Sequence, residues 1–209
     1  MIFSGWLTVF ILGLVLVVVP GPNFVMTLRN SLLISRRAGL LTASGIALGG
    51  ATHVAYSLAG VGVIISQSIF LFGVLKWLGA AYLVWLGIKA LRAEKRALVV
   101  TDTSQVSTMP TRAAVRIGYL TCLLNPKSTL FFFALFTQVI GPDTSLPARL
   151  LYGMTVVALQ LAWYSCVALV ISQRTIQRRF AAATLWIERL TGAAMIGLGI
   201  RLVLARRAE

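Results

Sequence analysis

Residues 117–140 read IGYLTCLLNPKSTLFFFALFTQVI, an apolar stretch with a proline and a cation near its middle. A charge at the centre of a membrane-spanning helix costs about 2.5–3.5 kcal/mol on insertion scales, so it is rarely kept there without a function. A second break, Pro20-Gly21-Pro22-Asn23, interrupts the first apolar stretch of the chain. Two broken spans at corresponding places in two halves of a chain indicate the binding site of a transporter.

The composition favours an integral membrane protein over a soluble one. Of the 209 residues, 58% are hydrophobic and only 11% are charged, whereas soluble domains have about 25% charged residues. The net charge of +14 is compatible with nucleic-acid binding, but most cations lie between apolar stretches and RNA-binding aromatic motifs are absent. We therefore expect that the protein lies in a lipid bilayer and does not bind nucleic acid.

We predict an all-α protein with six transmembrane helices in a single domain, residues 1–209. The apolar spans lie at about 6–28, 39–65, 69–91, 114–140, 150–172 and 185–205. Backbone polar groups in lipid must be satisfied within the segment, which favours helices. The alternation of period two that would indicate a β-barrel is absent.

The charges of the connecting segments predict the orientation in the membrane. The first, third and fifth connections are rich in arginine and lysine, whereas the second, Ser66-Gln67-Ser68, has no cation. Because cytoplasmic loops carry the excess of cations, we place the odd connections in the cytoplasm and both termini outside. Arg206-Arg207, on the predicted outer side, disagrees with this rule.

The two halves of the chain resemble each other. Residues 79–89 read GAAYLVWLGIK and residues 192–201 read GAAMIGLGIR, and each half begins with a span broken at proline. Three spans per half is an odd number, so the second copy must insert upside down. We predict two inverted three-helix repeats, at about 1–92 and 113–209, joined by a cytoplasmic link at about 93–112.

The two breaks are the predicted substrate site. A proline removes a backbone donor and ends the helix before it, and a half-helix restarting at Asn23 would present free N–H groups to an anion. Asn125-Pro126-Lys127 offers the same geometry plus a fixed cation, and together the breaks suit the carboxylate of an amino acid. The predicted substrate-binding residues here are Pro20, Gly21, Pro22, Asn23, Asn125, Pro126 and Lys127. The alternative is that both breaks are kinks that serve packing only.

Other polar and small residues within spans are weaker candidates. Gly45 and Gly49, in a span rich in small residues, either allow close helix packing or leave room for substrate. His53, the only histidine, either couples proton entry to export or is a satisfied packing residue. Glu188 is either an interfacial ion pair with Arg189 or a proton acceptor near a cytoplasmic gate.

Three polar or aromatic residues of the fifth span lie too near its middle for an interfacial position. We expect that Gln160, Trp163 and Tyr164 line a cavity inside the protein.

Signatures of an enzyme are missing from the chain. It has no Gly-rich phosphate loop, no HExxH motif and no Ser/His/Asp set in a suitable context. No acidic cluster within a span could hold a metal ion. We therefore expect no enzymatic activity, no cofactor and no metal, and the proton gradient is the default source of energy.

A membrane thiol–disulfide electron carrier is the main alternative, because such a protein can share six spans and two proline breaks. Its chemistry requires paired thiols, and symmetry would place one in each broken span. Cys122 lies in one of them, but residues 6–28 contain no cysteine. A passive channel would need acidic rings or histidine clusters, and neither is present.

Several motifs together resemble one family of transporters. They are Val19-Pro20-Gly21-Pro22-Asn23, Arg36-Arg37-Ala38-Gly39, Leu124-Asn125-Pro126-Lys127 and Trp186-Ile187-Glu188 leading into Gly192-Ala193. This pattern, which extends over essentially the whole chain, resembles the lysine-exporter/homoserine–threonine-exporter (LysE/RhtB) family of bacterial amino acid exporters.

The resemblance implies export of an amino acid or a close derivative from the cytoplasm, by proton antiport. The homoserine/threonine branch looks closest. A fixed Lys127 with no acidic residue at the same depth fits a neutral amino acid better than lysine or arginine. Faces of small residues on several helices would also permit a homodimer.

Overall fold

The chain folds as a helical protein. The computed structural model describes residues 2–67, 69–92, 109–141, 143–173 and, further along, 176, 183, 185–190, 192, 193, 196, 197 and 200. Within these residues there is no strand, in agreement with the predicted all-α class.

Seven α-helices follow one another in the described part of the chain. They are α1 (Ile2–Val18), α2 (Pro22–Leu33), α3 (Arg36–Gln67), α4 (Ile69–Leu91), α5 (Thr111–Leu123), α6 (Pro126–Val139) and α7 (Leu146–Cys166). A π-helical turn, Val167–Ile171, continues α7. Residues 185–190 are helical as well.

Both predicted breaks are present. The axes of α1 and α2 are bent by 54° and those of α5 and α6 by 59°. The first half-helix after a break restarts at Pro22, one residue before the predicted Asn23. The second restarts at Pro126, directly after Asn125. Proline is favoured at the first helical position, because its missing N–H would have no partner there anyway.

Long apolar helices make this a multi-pass membrane protein. Residues Arg36–Gly60 of α3 and Leu146–Ile171 of α7 with its π-turn are each long and apolar enough to cross a bilayer, and the described residues supply up to four spans if each bent pair is one. Large apolar side chains point outward, as Met154 does with 71% of its surface exposed. The total of six spans stays a prediction, since about half of residues 185–205 and most of the link lie outside the described residues.

The helices of the two halves pack against each other reciprocally. The long α3 of the first half packs on α5, the first half-helix of the second, and α7 of the second half packs on α1 of the first. The two similar stretches also touch, because a Cβ atom on Gly87 would lie 2.6 Å from the carbonyl oxygen of Gly192. An inverted repeat would produce such contacts, and the repeat itself stays a prediction.

The interior consists of two apolar clusters that meet at the breaks. One includes Leu16, Phe131 and Phe132, and the other includes Phe24 and Cys122. Several buried polar side chains lie at or near the breaks, namely Asn23, His53, Asn125, Ser128 and Gln160. Others, such as Asn30 and Thr42, are paired with each other between α2 and α3.

Candidate functional site

The two breaks face each other across one cavity. Its lining comes from the first break (Leu16, Val19, Gly21 and Asn23), from the second (Asn125, Lys127 and Ser128) and from α7 (Tyr164). Four residues predicted to bind substrate are thus brought together, although more than 100 positions separate the breaks in sequence. Pro20 and Pro22 are not among the lining residues, and Pro22 and Pro126 are the first residues of α2 and α6.

The cavity is small in this conformation. Its volume is about 10 Å³, which is about the space that one water molecule needs. An amino acid does not fit without movement of the surrounding helices. The structure therefore represents a closed form of the cavity.

Lys127 connects the two breaks. It lies in the first turn of α6, and its Nζ atom is 3.5 Å from the carbonyl oxygen of Val19. That carbonyl follows the C-terminus of α1, where the partial negative charge of the helix dipole favours a cation. Glu188 also acts electrostatically on the Lys127 ammonium. Lys127 therefore links the two breaks and is close enough to Glu188 to feel its charge.

Asn23 supplies the cavity with a polar atom that has no partner. The side chain is 4% exposed, and its Oδ1 atom accepts no hydrogen bond. Its amide group lies within hydrogen-bonding range of Tyr164 and of the Cys122 thiol. A buried acceptor without a donor costs about 1–3 kcal/mol, and such groups in native proteins call for an explanation. A donor on a bound molecule would satisfy it.

Asn125 caps the second half-helix. Its side-chain oxygen accepts a hydrogen bond from the backbone N–H of Lys127 at 3.0 Å, as asparagine commonly does before a helix. The sequence predicted that this half-helix would offer free N–H groups to an anion. In this conformation the cap already occupies one of them, and the Lys127 ammonium is the charged group of the second break at the cavity.

His53 lies beside the second break and does not line the cavity. Its side chain is fully buried and stacks on the Phe132 ring with 5.2 Å between the centroids. Its Nε2 atom is 3.0 Å from the carbonyl oxygen of Cys122, and its Nδ1 atom is hydrogen-bonded to the Tyr56 hydroxyl. Both ring nitrogens are thus satisfied. The predicted role in proton coupling stays a prediction.

Gly45 and Gly49 belong to α3 and lie where this helix packs on α5. A Cβ atom on Gly45 would overlap the carbonyl oxygen of Val115, and one on Gly49 would lie 2.8 Å from the Cβ atom of Cys122. These contacts match the close-packing alternative that the sequence left open. Neither glycine is among the residues that line the cavity, and their part in substrate binding stays a prediction.

The structure adds residues to the site that the sequence did not single out. Tyr164 lines the cavity as predicted, but Ser128, Leu16 and Val19 were not anticipated. Ser128 and Gln160 lie within hydrogen-bonding range of the Cys122 thiol, in the same buried polar layer. The sequence signal for the unanticipated lining residues was their position, since all three lie within four residues of a break.

The described residues contain no group of three His, Cys, Asp or Glu side chains that could hold a metal ion. Cys122 and Cys166 are both free thiols.

Comparison with known proteins identifies one family. The family of LysE type translocators matches residues 14–206. The chain is similar to the threonine efflux protein of Escherichia coli K12, with 28% identity over 96% of this chain and 98% of that protein. It is also similar to the leucine efflux protein of Klebsiella pneumoniae, with 31% identity over 95% of this chain and 94% of that protein. No solved structure gives a significant match.

Proposed function

We propose that this chain, which belongs to the family of LysE type translocators, exports a small neutral amino acid or a close derivative from the cytoplasm. Two relatives of similar length are named for the efflux of threonine and of leucine, which both carry uncharged side chains. The observation that carries the proposal is the cavity between the two breaks, with the Lys127 ammonium and the unpartnered Asn23 oxygen in its wall.

These two groups complement the backbone charges of a free amino acid. The Lys127 ammonium would bind the α-carboxylate in place of the weakly held Val19 carbonyl, because a charge-assisted hydrogen bond is stronger than one to a neutral oxygen. The Asn23 oxygen would accept a hydrogen bond from the α-ammonium. The described residues that line the cavity include no Asp or Glu, so a cationic side chain such as that of lysine would have no carboxylate in the cavity wall to contact.

Binding requires the closed cavity to open. At about 10 Å³ it admits one water molecule, so we expect the helices around the breaks to separate on one side of the membrane at a time. The bends of 54° and 59° are the natural hinges of such a movement, since a helix bends most easily where its hydrogen-bond ladder is interrupted.

We propose proton antiport as the source of energy, with Glu188 and His53 as the candidate proton carriers. Glu188 already acts on the Lys127 ammonium, so adding a proton to Glu188 would change the field in which the substrate carboxylate binds. His53 faces Tyr56 and Cys122 at the second break and could change that break when it gains a proton. The setting is a bacterial inner membrane with both termini outside.

Transport by inside-out membrane vesicles tests the proposal. Vesicles containing the protein are supplied with radiolabelled threonine, homoserine, leucine, lysine and glutamate, with and without an imposed pH gradient. We expect uptake of at least one neutral amino acid that rises with the gradient, and little uptake of lysine. Uptake of lysine in preference to every neutral amino acid would contradict the substrate class, and uptake unaffected by the gradient would contradict antiport.

The two charged groups of the substrate can be tested separately in the same vesicles. A 2-hydroxy acid lacks the ammonium and a primary amine lacks the carboxylate, so each should compete at least tenfold more weakly than the parent amino acid. Equal competition by either analogue would exclude the proposed contact with the missing group.

A further inference from the structure

Pro126 deprives one carbonyl group of its helical partner. In an α-helix the C=O of a residue accepts a hydrogen bond from the N–H four positions later, which for Cys122 is position 126, and proline has no N–H to donate. The Cys122 oxygen instead accepts the N–H of Asn125 at 3.2 Å and lies 3.0 Å from Nε2 of His53. A side chain of α3 therefore gives a second partner to the carbonyl that the proline deprives of its helical one.

Tyr56 extends this contact to the other side of the break. It lies three residues after His53, on the same face of α3, and its hydroxyl is hydrogen-bonded to Nδ1 of His53. The Tyr56 hydroxyl also lies within hydrogen-bonding range of the Thr129 side chain, in the first turn of α6. A continuous set of contacts thus runs from the last turn of α5 to the first turn of α6, across a bend of 59°.

The His53 ring has little freedom to leave this arrangement. It is fully buried and lies nearly parallel to the Phe132 ring, with 17° between their planes. When Nε2–H donates to the carbonyl of Cys122, Nδ1 is the acceptor for the Tyr56 hydroxyl, so one neutral tautomer satisfies both contacts.

We propose that His53 and Tyr56 form a clasp that holds the second break in its bent form and so positions Asn125 and Lys127 at the cavity. Both are positioning residues, because neither lines the cavity. The clasp is independent of any proton transfer by His53. Its consequence for transport depends on the function proposed above, whereas its consequence for stability does not.

The replacement of Pro126 by alanine makes the clasp testable. Alanine restores an N–H at position 126, which can replace the imidazole as the second partner of the Cys122 carbonyl. The variants are His53→Phe, which keeps a ring for stacking on Phe132 but removes both nitrogens, Pro126→Ala, and the double variant. Residues in one hydrogen-bond network are expected to be non-additive.

The first measurement is the melting temperature of each purified variant in detergent, which needs no substrate. We expect His53→Phe to lower the melting temperature by several degrees in the wild-type background and by clearly less in the Pro126→Ala background. An equal fall in both backgrounds would overturn the clasp, because the imidazole would then not be compensating for the proline.

The second measurement is transport in proteoliposomes with radiolabelled threonine or leucine, whichever is carried. We expect Tyr56→Phe to raise KM by about two- to tenfold, the effect of losing one hydrogen bond, with a smaller change in kcat. Tyr119→Phe is the matched control, since it removes a Tyr–Thr contact of 3.4 Å to Thr52 away from the bend, and its KM should stay unchanged.

A conservative variant separates positioning from general packing. In His53→Gln the side-chain amide can still donate to the Cys122 carbonyl, so its KM should lie closer to wild type than that of His53→Phe. A KM for His53→Gln as high as that for His53→Phe would overturn the assigned contact. If none of the tested amino acids is carried but the melting temperatures are non-additive as expected, the clasp stands and the proposed substrate class fails.

Discussion

The replacement of Lys127 by methionine should weaken transport without weakening the fold. Methionine keeps nearly the length of the lysine side chain and removes only its charge and donors. In the closed cavity the ammonium has a long hydrogen bond of 3.5 Å to the Val19 oxygen and the electrostatic attraction of Glu188, which together offset the cost of its burial only in part. A lysine near the centre of a span costs about 2.5–3.5 kcal/mol on insertion scales. We therefore expect the melting temperature of Lys127→Met to equal or exceed that of the wild type.

Substrate binding, unlike the stability of the fold, should be weakened by Lys127→Met. A hydrogen bond to a charged group contributes about 1.5–3 kcal/mol, so the loss of the carboxylate contact should raise KM by about 10- to 150-fold. The assay is the initial rate of amino acid uptake by inside-out vesicles over a range of substrate concentrations, with the amount of inserted protein measured by immunoblot. Only the combination of weaker transport and undiminished stability agrees with a residue kept for function.

Lys89→Met is the matched control, because it makes the same replacement in another membrane helix. The Lys89 ammonium lies 5.1 Å from the centre of the Trp85 ring and does not line the cavity. The KM of Lys89→Met should remain that of the wild type. An unchanged KM for Lys127→Met would refute the proposed carboxylate contact. A raised KM together with a large fall in melting temperature would refute the view that this ammonium does not stabilise the fold.

Three further predictions concern packing, the thiols and the topology. Gly45→Ala should lower the melting temperature, because the new Cβ atom would overlap a backbone carbonyl of α5, and overpacking costs about 1–3 kcal/mol. Gly60→Ala is the control and should not lower the melting temperature, because a Cβ atom there would have nothing within 4 Å. An increase in stability for Gly45→Ala would mean that the two helices can separate at little cost. Replacement of both Cys122 and Cys166 by serine should leave substantial transport, and complete loss would revive the thiol–disulfide electron carrier. A reporter fused after Glu209 should be active only as an extracytoplasmic reporter, and cytoplasmic activity would reverse the predicted topology.

Local chemistry made the helix breaks predictable. A proline cannot continue a hydrogen-bond ladder wherever it occurs in a fold, so Pro22 and Pro126 determined the restart of each half-helix to within one residue. The membrane-protein class and the positions of the long helices were predictable for a similar reason, since the thickness and low polarity of the bilayer constrain every span. The family was recognisable from the same motifs.

The contacts across the breaks were not predictable from one sequence. The pairs His53–Cys122 and Lys127–Val19 join residues 69 and 108 positions apart, and nothing in the local pattern specifies which distant carbonyl a side chain will reach. The close approach of Gly45 to α5 likewise depends on how two helices pack, because small residues permit contact without choosing the partner.

The sequence by itself thus determined where the helices break and that a buried cation lies beside one break, because these follow from the covalent structure of proline and the low polarity of lipid. Only the tertiary structure decided that the two breaks share one cavity, that Asn23 presents an unpartnered oxygen there, and that His53 contacts the Cys122 carbonyl, which Pro126 deprives of its helical partner. Those features depend on the relative placement of whole helices, which is set by the sum of many weak packing contacts rather than by any single motif.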